Sequence, residues 1–424
     1  MSDVLPTMRL EDLATITMGQ SPDSAAVNGA GVGLPFLQGC AEFGARFPQP
    51  RFHCSPPLRV AKSGSILISV RAPVGTTNRA DQDYCIGRGL GAVLAKPGVA
   101  DDVFLLHAIE ANLEFLHRRS QGSTFLAIGS KELSSLPVPA PQLAAQRRIA
   151  EILSTLDEAI EQTEALIAKH QQIKAGLMHD LFTCGVTPDG HLRPTREQTP
   201  DLYKESLLGW IPKEWEVKPL GVLAEIVSGV TLGSKGEISD GVGVPYLRVA
   251  NVQDGYFDLK EVKTIRVSRL QFEKLQLRFG DVLMNEGGDF DKLGRGSVWQ
   301  EEIKPCIHQN HVFRVRPTDG QLKSHFLAFW SQSEMGKKYF VMNSKQSTNL
   351  ASINSTQLNR FPVALPSSIE QGRIEERIFA LNSYADSLGH ELAKLRQQKH
   401  GLMHDLLTGK VPVNATPNVQ EDIA

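Results

Sequence analysis

Two adjacent acid–base pairs, His179-Asp180 and His404-Asp405, are the residues whose types first suggest catalysis. Both lie in a stretch written twice: Gly-Leu-Met-His-Asp-Leu at Gly176–Leu181 and again at Gly401–Leu406, a separation of 225. Each copy closes a long heptad-patterned run among leucines, which favours a structural or docking role over proton transfer. Other chemistries fail on spacing. Gly229 to Lys235 has glycines and a lysine but not the spacing of a phosphate cradle, and Gly87-Arg88-Gly89-Leu90-Gly91 lacks the dinucleotide fingerprint and reads as a turn. No Cys/His set has zinc spacing, and the His53-Cys54 pair is incidental. Asp258-Leu-Lys-Glu261-Val-Lys263 resembles a metal-nuclease acidic-x-Lys element but has no counterpart in the first half of the chain. The Asn/Asp-Pro-Pro-aromatic motif of adenine-amino methyltransferases does not occur; Pro56-Pro57 sits in Ser-Pro-Pro-Leu. No catalytic constellation emerges.

The repeat organises what remains. At 424 residues the chain exceeds one ordinary core, so two or more domains are expected. Formal net charge is -2, so any basic surface must be local. Five scattered cysteines without a C-x-x-C pair, and no signal peptide, point to reduced thiols in a cytoplasmic protein. No stretch has the length of a membrane span, and no membrane partner is expected. A first block, about Met8 to Pro141, carries strand-length apolar runs such as Ser65–Val70 between Gly and Pro turns, and one helical segment near Asp102–Arg118. A second block, about Trp215 to Pro366, repeats the plan. Leu34–Leu37 matches Val244–Leu247 at a shift of 210, and Leu136-Pro137-Val138 matches Phe361-Pro362-Val363 at 225. Ser123–Ala127 matches Ser347–Ala351 at 224, and Cys85-Ile86 aligns with Cys306-Ile307, both cysteines reading as buried strand residues.

Each block gives way to a seam of alternating steps of four and three. One seam is Ile149, Leu153, Leu156, Ile160, Thr163, Ile167, His170, Lys174, Leu177 and Leu181. The other is Ile374, Ile378, Leu381, Ala385, Leu388, Leu392, Leu395, Lys399, Leu402 and Leu406. A helix of about 40 residues spans roughly 60 Å, too long for a compact core. Heptads alone allow each seam to pair with another chain; tethering favours pairing with each other, and a pseudo-twofold relation between the repeats favours the antiparallel arrangement. The Pro-, Gly- and charge-rich link from about Thr183 to Lys218 is long enough to run back along them.

The expected fold is α+β: two pseudo-twofold-related globular α/β domains separated by a pair of long antiparallel coiled-coil helices. The expected division is a first globular domain at 1–141, a first helix at 142–183, a linker at 184–214, a second globular domain at 215–366, a second helix at 367–409 and a tail at 410–424. Two variable blocks, each followed by a helix ending in Gly-Leu-Met-His-Asp-Leu, resemble the specificity subunit of type I restriction–modification systems. Pro137–Pro141 leading into Gln146–Ala150, Gly209–Trp215 and Gly280–Leu283 support the resemblance. It implies two target recognition domains, each reading half of a bipartite double-stranded DNA sequence. It also implies helices that space the halves and dock two modification (methyltransferase) subunits, and restriction subunits that act as ATP-dependent translocase and nuclease. S-adenosylmethionine, ATP and Mg would then serve the partner subunits, with no cofactor and no active site in this chain. Against this stand a coiled-coil scaffold with two protein-binding modules and a fused recognition–modification enzyme.

Base readout needs polar side chains on loops, with cations nearby for phosphates. In the first block these are Arg71, Thr76, Thr77, Asn78, Arg79, Arg118, Arg119 and Gln121. In the second they are Asn285, Lys292, Arg295, His308, Gln309, Asn310, His311, Lys345, Gln346, Ser347 and Asn349. Arg and Asn in Gly-rich loops rank first, because they pair bidentately with guanine and adenine.

Overall fold

The structure is a computed structural model that describes residues 5–119, 127–231, 241–288, 293–346 and 351–413. The chain forms two compact units. One comprises residues 1–166 with 388–424, and the other residues 167–387.

In the first unit, β1 (Thr7–Arg9) pairs antiparallel with β8 (Pro137–Pro139), so the two ends of the globular block are stitched together. Between them lies an antiparallel sheet of four strands, β2 (Ala14–Met18), β7 (Leu90–Ala95), β4 (Ile66–Ser69) and β5 (Thr77–Arg79), in that spatial order. The continuous apolar run of β4 is explained by its two faces. Ile66 and Ile68 pack under helices with Phe104, Leu105 and Ile109, while Leu67 faces Leu37, Tyr84 and Ile86. A second sheet holds β3 (Leu34–Leu37) and β6 (Tyr84–Ile86) parallel to each other, with Phe36 opposite Cys85 and Leu37 opposite Ile86. Helix α1 (Asp102–Ala111) is followed by α2 (Leu113–Arg119).

The long helix α3 (Leu143–Thr183) begins with a device that ties it to α1. Gln146 is buried; its Oε1 accepts from the Asp101 N–H at 2.9 Å and its Nε2 donates to the carbonyls of Pro141 (2.9 Å) and Val99 (3.2 Å). One amide thus satisfies three peptide groups at the root of both helices.

The second unit repeats the stitched ends, the four-stranded order and the parallel pair of this plan. After a hairpin of β9 (Tyr203–Ser206) and β10 (Gly209–Pro212), β11 (Glu216–Pro219) pairs with β18 (Pro362–Leu365). The four-stranded sheet runs β12 (Ala224–Ser228), β17 (Val312–Pro317), β14 (Val282–Asn285), β15 (Gly296–Val298). Parallel to β13 (Gly241–Leu247) lies β16 (Ile307–His308). Helices α4 (Ser324–Gln332) and α5 (Glu334–Asn343) precede the second long helix, α6 (Ser368–Leu407). Gln371 reproduces Gln146: Oε1 accepts from Lys323 N–H at 2.8 Å, and Nε2 donates to Pro366 (3.0 Å) and Gln321 (2.7 Å).

Within the first unit the start of α3 meets the end of α6. Ile149 and Leu153 share a core with Leu406 and Leu407, Asp157 pairs with Lys399 at 2.5 Å, and Glu164 with Arg396 at 2.6 Å. Ascending positions on α3 face descending ones on α6, so the packing is antiparallel. Within the second unit the end of α3 meets the start of α6. Leu181, Phe182, Ile374 and Ile378 share a core, and the His170 ring lies 2.9 Å from the Leu381 carbonyl. Of the seam, Leu156, Ile160, Ile167, Leu177, Leu381, Leu392 and Leu395 are half-buried and Leu388 is buried, while Leu402 departs from the pattern as the exposed member.

The segment 184–214 does not run as an open tether. It folds onto the second unit, contributing Val186 and Ile211 to its core and burying Arg193.

Candidate nucleic-acid interface

The β6–β7 and β16–β17 connections are the same turn in two copies. In the first, the Gly87 N–H donates to Leu37 O (2.8 Å) and Leu90 N–H to Gly87 O (3.0 Å); in the second, Gln309 donates to Leu247 O (2.9 Å) and Val312 to Gln309 O (2.9 Å). This fixes the alignment between copies, and it corrects one expectation. Tyr246 opposes Ile307 and Leu247 opposes His308, so Ile307, not Cys306, takes the place of Cys85, and His308 takes the place of Ile86. Burial raises both thiols, Cys85 to about 11 and Cys306 to about 12; both are buried as expected, but only Cys85 is a strand residue, and Cys306 lies just before its strand.

The register explains why three polar candidates leave the interface. His308 occupies a core position, fully buried, with Nδ1 2.7 Å from the Val312 carbonyl. Asn285 is equivalent to Ser69, since each opposes the first residue of the neighbouring strand (Val312 and Leu90). Both are buried: Ser69 Oγ donates to Pro73 O at 2.5 Å, and Asn285 Nδ2 to Val252 O at 2.9 Å. Asn78 is buried too, its Nδ2 donating to Gly44 O (2.8 Å) and its Oδ1 accepting from Arg79 N–H (2.8 Å). These side chains satisfy peptide groups inside the protein and are not offered to a groove.

Several others are engaged on the surface. Thr77 Oγ1 donates to Glu110 (2.9 Å), Arg79 pairs with Asp102, Arg118 with Glu114, and Arg119 stacks 3.7 Å from the Phe115 ring centroid. Arg295 donates to Gln253 (3.0 Å), and His311 Nδ1 lies 2.6 Å from Glu286 Oε2. Arg71, Thr76 and Lys345 are exposed, and Gln309 and Asn310 half-exposed. Gln121, Lys292, Ser347 and Asn349, and the side chain of Gln346, lie outside the described residues, as do most of the Ser123–Ala127 and Ser347–Ala351 matches. Among the described members of that pair, Arg71 bridges Ala127 while Gly287 opposes Ser352, so Ala127 matches Ser352.

Three residues outside the expected set lie around the same turn as Arg71. Arg88, Arg59 and Gln38 are exposed around the first turn. The only sequence signal was the glycine bracket Gly87-Arg88-Gly89, which read as a turn and nothing more.

His308 also sets a pH dependence. Burial, aided by Arg314 and Arg316, pushes its pKa down to about 4 against the partial opposition of the Val312 hydrogen bond and Asp281. In the unfolded chain it titrates near 6.5, so the unfolded state gains the proton first. Its contribution is complete above about pH 6.5 and is lost as pH falls towards 4, on the order of 3 kcal/mol. The chain's 4 tryptophans, Trp210, Trp215, Trp299 and Trp330, all lie in the second unit, so their fluorescence reports its unfolding. The urea midpoint of that signal is expected to fall more steeply between pH 6.5 and 4 in the native protein than in His308→Gln; parallel profiles would contradict it.

The described residues gather no group of three or more His, Cys, Asp or Glu able to hold a metal ion. No helix among them is long and apolar enough to cross a membrane. Fold and surface define a duplicated α/β module, each copy carried on a pair of helix segments. A sequence model described as the type I restriction modification DNA specificity domain matches residues 57–171 and 212–397, one match in each half, and the chain belongs to that family. Its relatives include two proteins of Methanocaldococcus jannaschii. One is the putative type I restriction enzyme MjaX specificity subunit, 40% identical over 171 residues, 40% of each chain. The other is the MjaVIII specificity subunit, 26% identical over 75% of this chain and 72% of that protein. The Escherichia coli EcoBI specificity subunit is 26% identical over 72% of this chain and 64% of its own length. The chain thus spans under half of the MjaX subunit. The S subunit structure of a type-I system from M. genitalium shares the fold with a TM-score of 0.58 at 17% identity, covering 96% of this chain and 97% of that one.

Proposed function

We propose that this chain is the sequence-reading subunit of a type I restriction–modification complex. Each unit reads one half of a bipartite duplex, and the long helices fix the number of unread base pairs between. Methyl transfer from S-adenosylmethionine, and ATP- and Mg-dependent translocation and cleavage, belong to separate modification and restriction subunits. The observation that carries this is the duplication itself. One framework, with the same strand order and the same glutamine at the helix root, appears twice with different side chains on its loops, as two readers of two different half-sites require. A protein-binding scaffold would show no salt-sensitive preference among duplex sequences.

The test is selection from random duplexes by the chain assembled with its methyltransferase partner. A bipartite preference is expected, and exchanging residues 286–295, between β14 and β15, should change one half only. A change in both halves, or no preference in the native complex, would overturn the reading. Binding should also weaken as salt rises, in proportion to the phosphates contacted.

A further inference from the structure

The first unit carries a feature that the family assignment leaves unexplained: a tight glycine-bracketed turn with a single arginine at its tip and two more arginines beside it. The turn Gly87–Gly89 is tied by backbone hydrogen bonds to three other segments. Ile86 N–H donates to Arg59 O (3.0 Å), Val70 N–H to Gly89 O (2.9 Å) and Gln20 N–H to Ile86 O (3.0 Å). Arg59, Arg71 and Arg88 therefore sit within three residues of these junctions. All three are exposed, and none enters an ion pair among the described residues, whereas Arg9, Arg79, Arg118 and Arg148 of the same unit do.

Close approach of backbone requires glycine at Gly89 and Gly19, and crowds Gly87 against Gln38. A Cβ on Gly87 would lie 2.8 Å from Gln38 Oε1, one on Gly89 2.6 Å from Gln38 O, and one on Gly19 2.1 Å from Gly87 O. Neither flank of Arg88 can carry a side chain without displacing its neighbours. The turn projects one guanidinium from a rigid frame, which reduces the ordering cost of binding. Among the described residues none of the three guanidinium groups has a carboxylate partner, so each is available to an anionic one.

We infer that the Gly87–Gly89 turn is the base-reading element of the first unit, with Arg88 selecting guanine in its half-site and Arg59 and Arg71 holding the flanking phosphates. The inference rests on the reading of this chain as a DNA-specificity subunit. A guanidinium fork matches the O6 and N7 acceptors that guanine presents in the major groove. At the equivalent turn of the second unit, Asn310 stands in the place of Arg88 and Gly287 in the place of Arg71, so the tip of that turn carries a carboxamide instead of a guanidinium.

The experiment uses the full chain assembled with its methyltransferase partner and duplexes randomised in one half at a time. Arg88→Ala should lose discrimination for guanine at one or two positions of a single half by roughly 5- to 150-fold. Arg88→Lys should lose it as well while leaving the salt dependence unchanged, because lysine keeps the charge but not the fork. Arg59→Ala and Arg71→Ala should weaken binding to every duplex and lower the salt slope by about one each, with base preferences intact. All four changes are at exposed positions, and the far-UV circular dichroism melt of the full chain, to which the first unit contributes, serves as a folding control. If the native complex prefers a bipartite sequence and Arg88→Ala retains the full guanine preference, this inference fails alone. If the native complex shows no preference, the functional reading fails with it.

Discussion

Replacing Glu370 by alanine is expected to destabilise the second unit by about 3–5 kcal/mol, the cost of leaving a buried charge without its partner. Glu370 sits at the start of α6, 9% exposed in its side chain, and its Oε1 lies 3.3 Å from Arg193 Nη1, whose side chain is 5% exposed. The same oxygen accepts the Val186 N–H at 2.8 Å, and Arg193 also donates to the Cys184 carbonyl. One carboxylate thus anchors both the chain leaving α3 and the guanidinium that returns to it. Removing it strands a guanidinium and a peptide N–H together. The only other carboxylate near Arg193, among the described residues, is Glu214 at 3.6 Å on the exposed side, which offsets part of the charge but none of the Val186 bond. Gly185, with φ +74°, packs so tightly here that a Cβ would meet Glu370 Oε1 at 2.3 Å and the Trp215 ring at 2.5 Å. Urea unfolding followed by tryptophan emission measures the effect, since Trp215 lies against this site. Glu370→Gln keeps an acceptor for Val186 and should cost clearly less than Glu370→Ala; a loss under about 1 kcal/mol for alanine would show that the anchor is dispensable.

Lengthening both long helices by one heptad is expected to move the preferred target rather than weaken it. Seven residues add roughly 10.5 Å of helix, about three base pairs at 3.4 Å each, and leave the seam nearly in phase. Both helices must be extended, between residues 166 and 167 and between 387 and 388, because the partners are register-specific: Glu164 pairs with Arg396 on one side and His170 meets Leu381 on the other. The selected sequence should keep both half-sites and gain about three unread pairs, and the original target should lose methylation. An unchanged spacer in mapped methylation sites would show that the helices are not the ruler.

The two copies of the helix framework are not energetically alike. In the first unit Lys399 reaches Asp157 (2.5 Å) and Glu110 (3.8 Å), and the buried His107 ring lies 3.6 Å and 3.8 Å from the same two carboxylates. At the corresponding places of the second unit, Lys174 is surrounded by Asn382, Gln332 and Phe329, which line an open cavity of about 670 Å³. The heptad reading assigns Lys174 and Lys399 to one class of position. Only their neighbours on other elements separate a closed charged cluster from an open pocket.

That contrast marks the boundary between what was legible and what was not. The duplication, the strand-length runs and the seams depend on residues close together in sequence, and on repeats whose equivalence is visible without coordinates. Ile66–Ser69 reads as a buried strand because both faces demand apolar residues. Ile149, Leu153, Ile374 and Ile378 read as a seam because period alone places them on one face, and all four are buried. The interface was less legible because a polar side chain near a turn has two possible destinations, solvent or the peptide groups of a neighbouring strand. Asn285, Asn78 and His308 took the second, while Arg88, passed over as part of a mere turn, is exposed. The sequence by itself determined the number of modules, their kinship and the helices that carry them. The tertiary structure decided which polar residues remain outside, because hydrogen-bond partners such as Val252 for Asn285 and Gly44 for Asn78 come from 33 and 34 residues away along the chain.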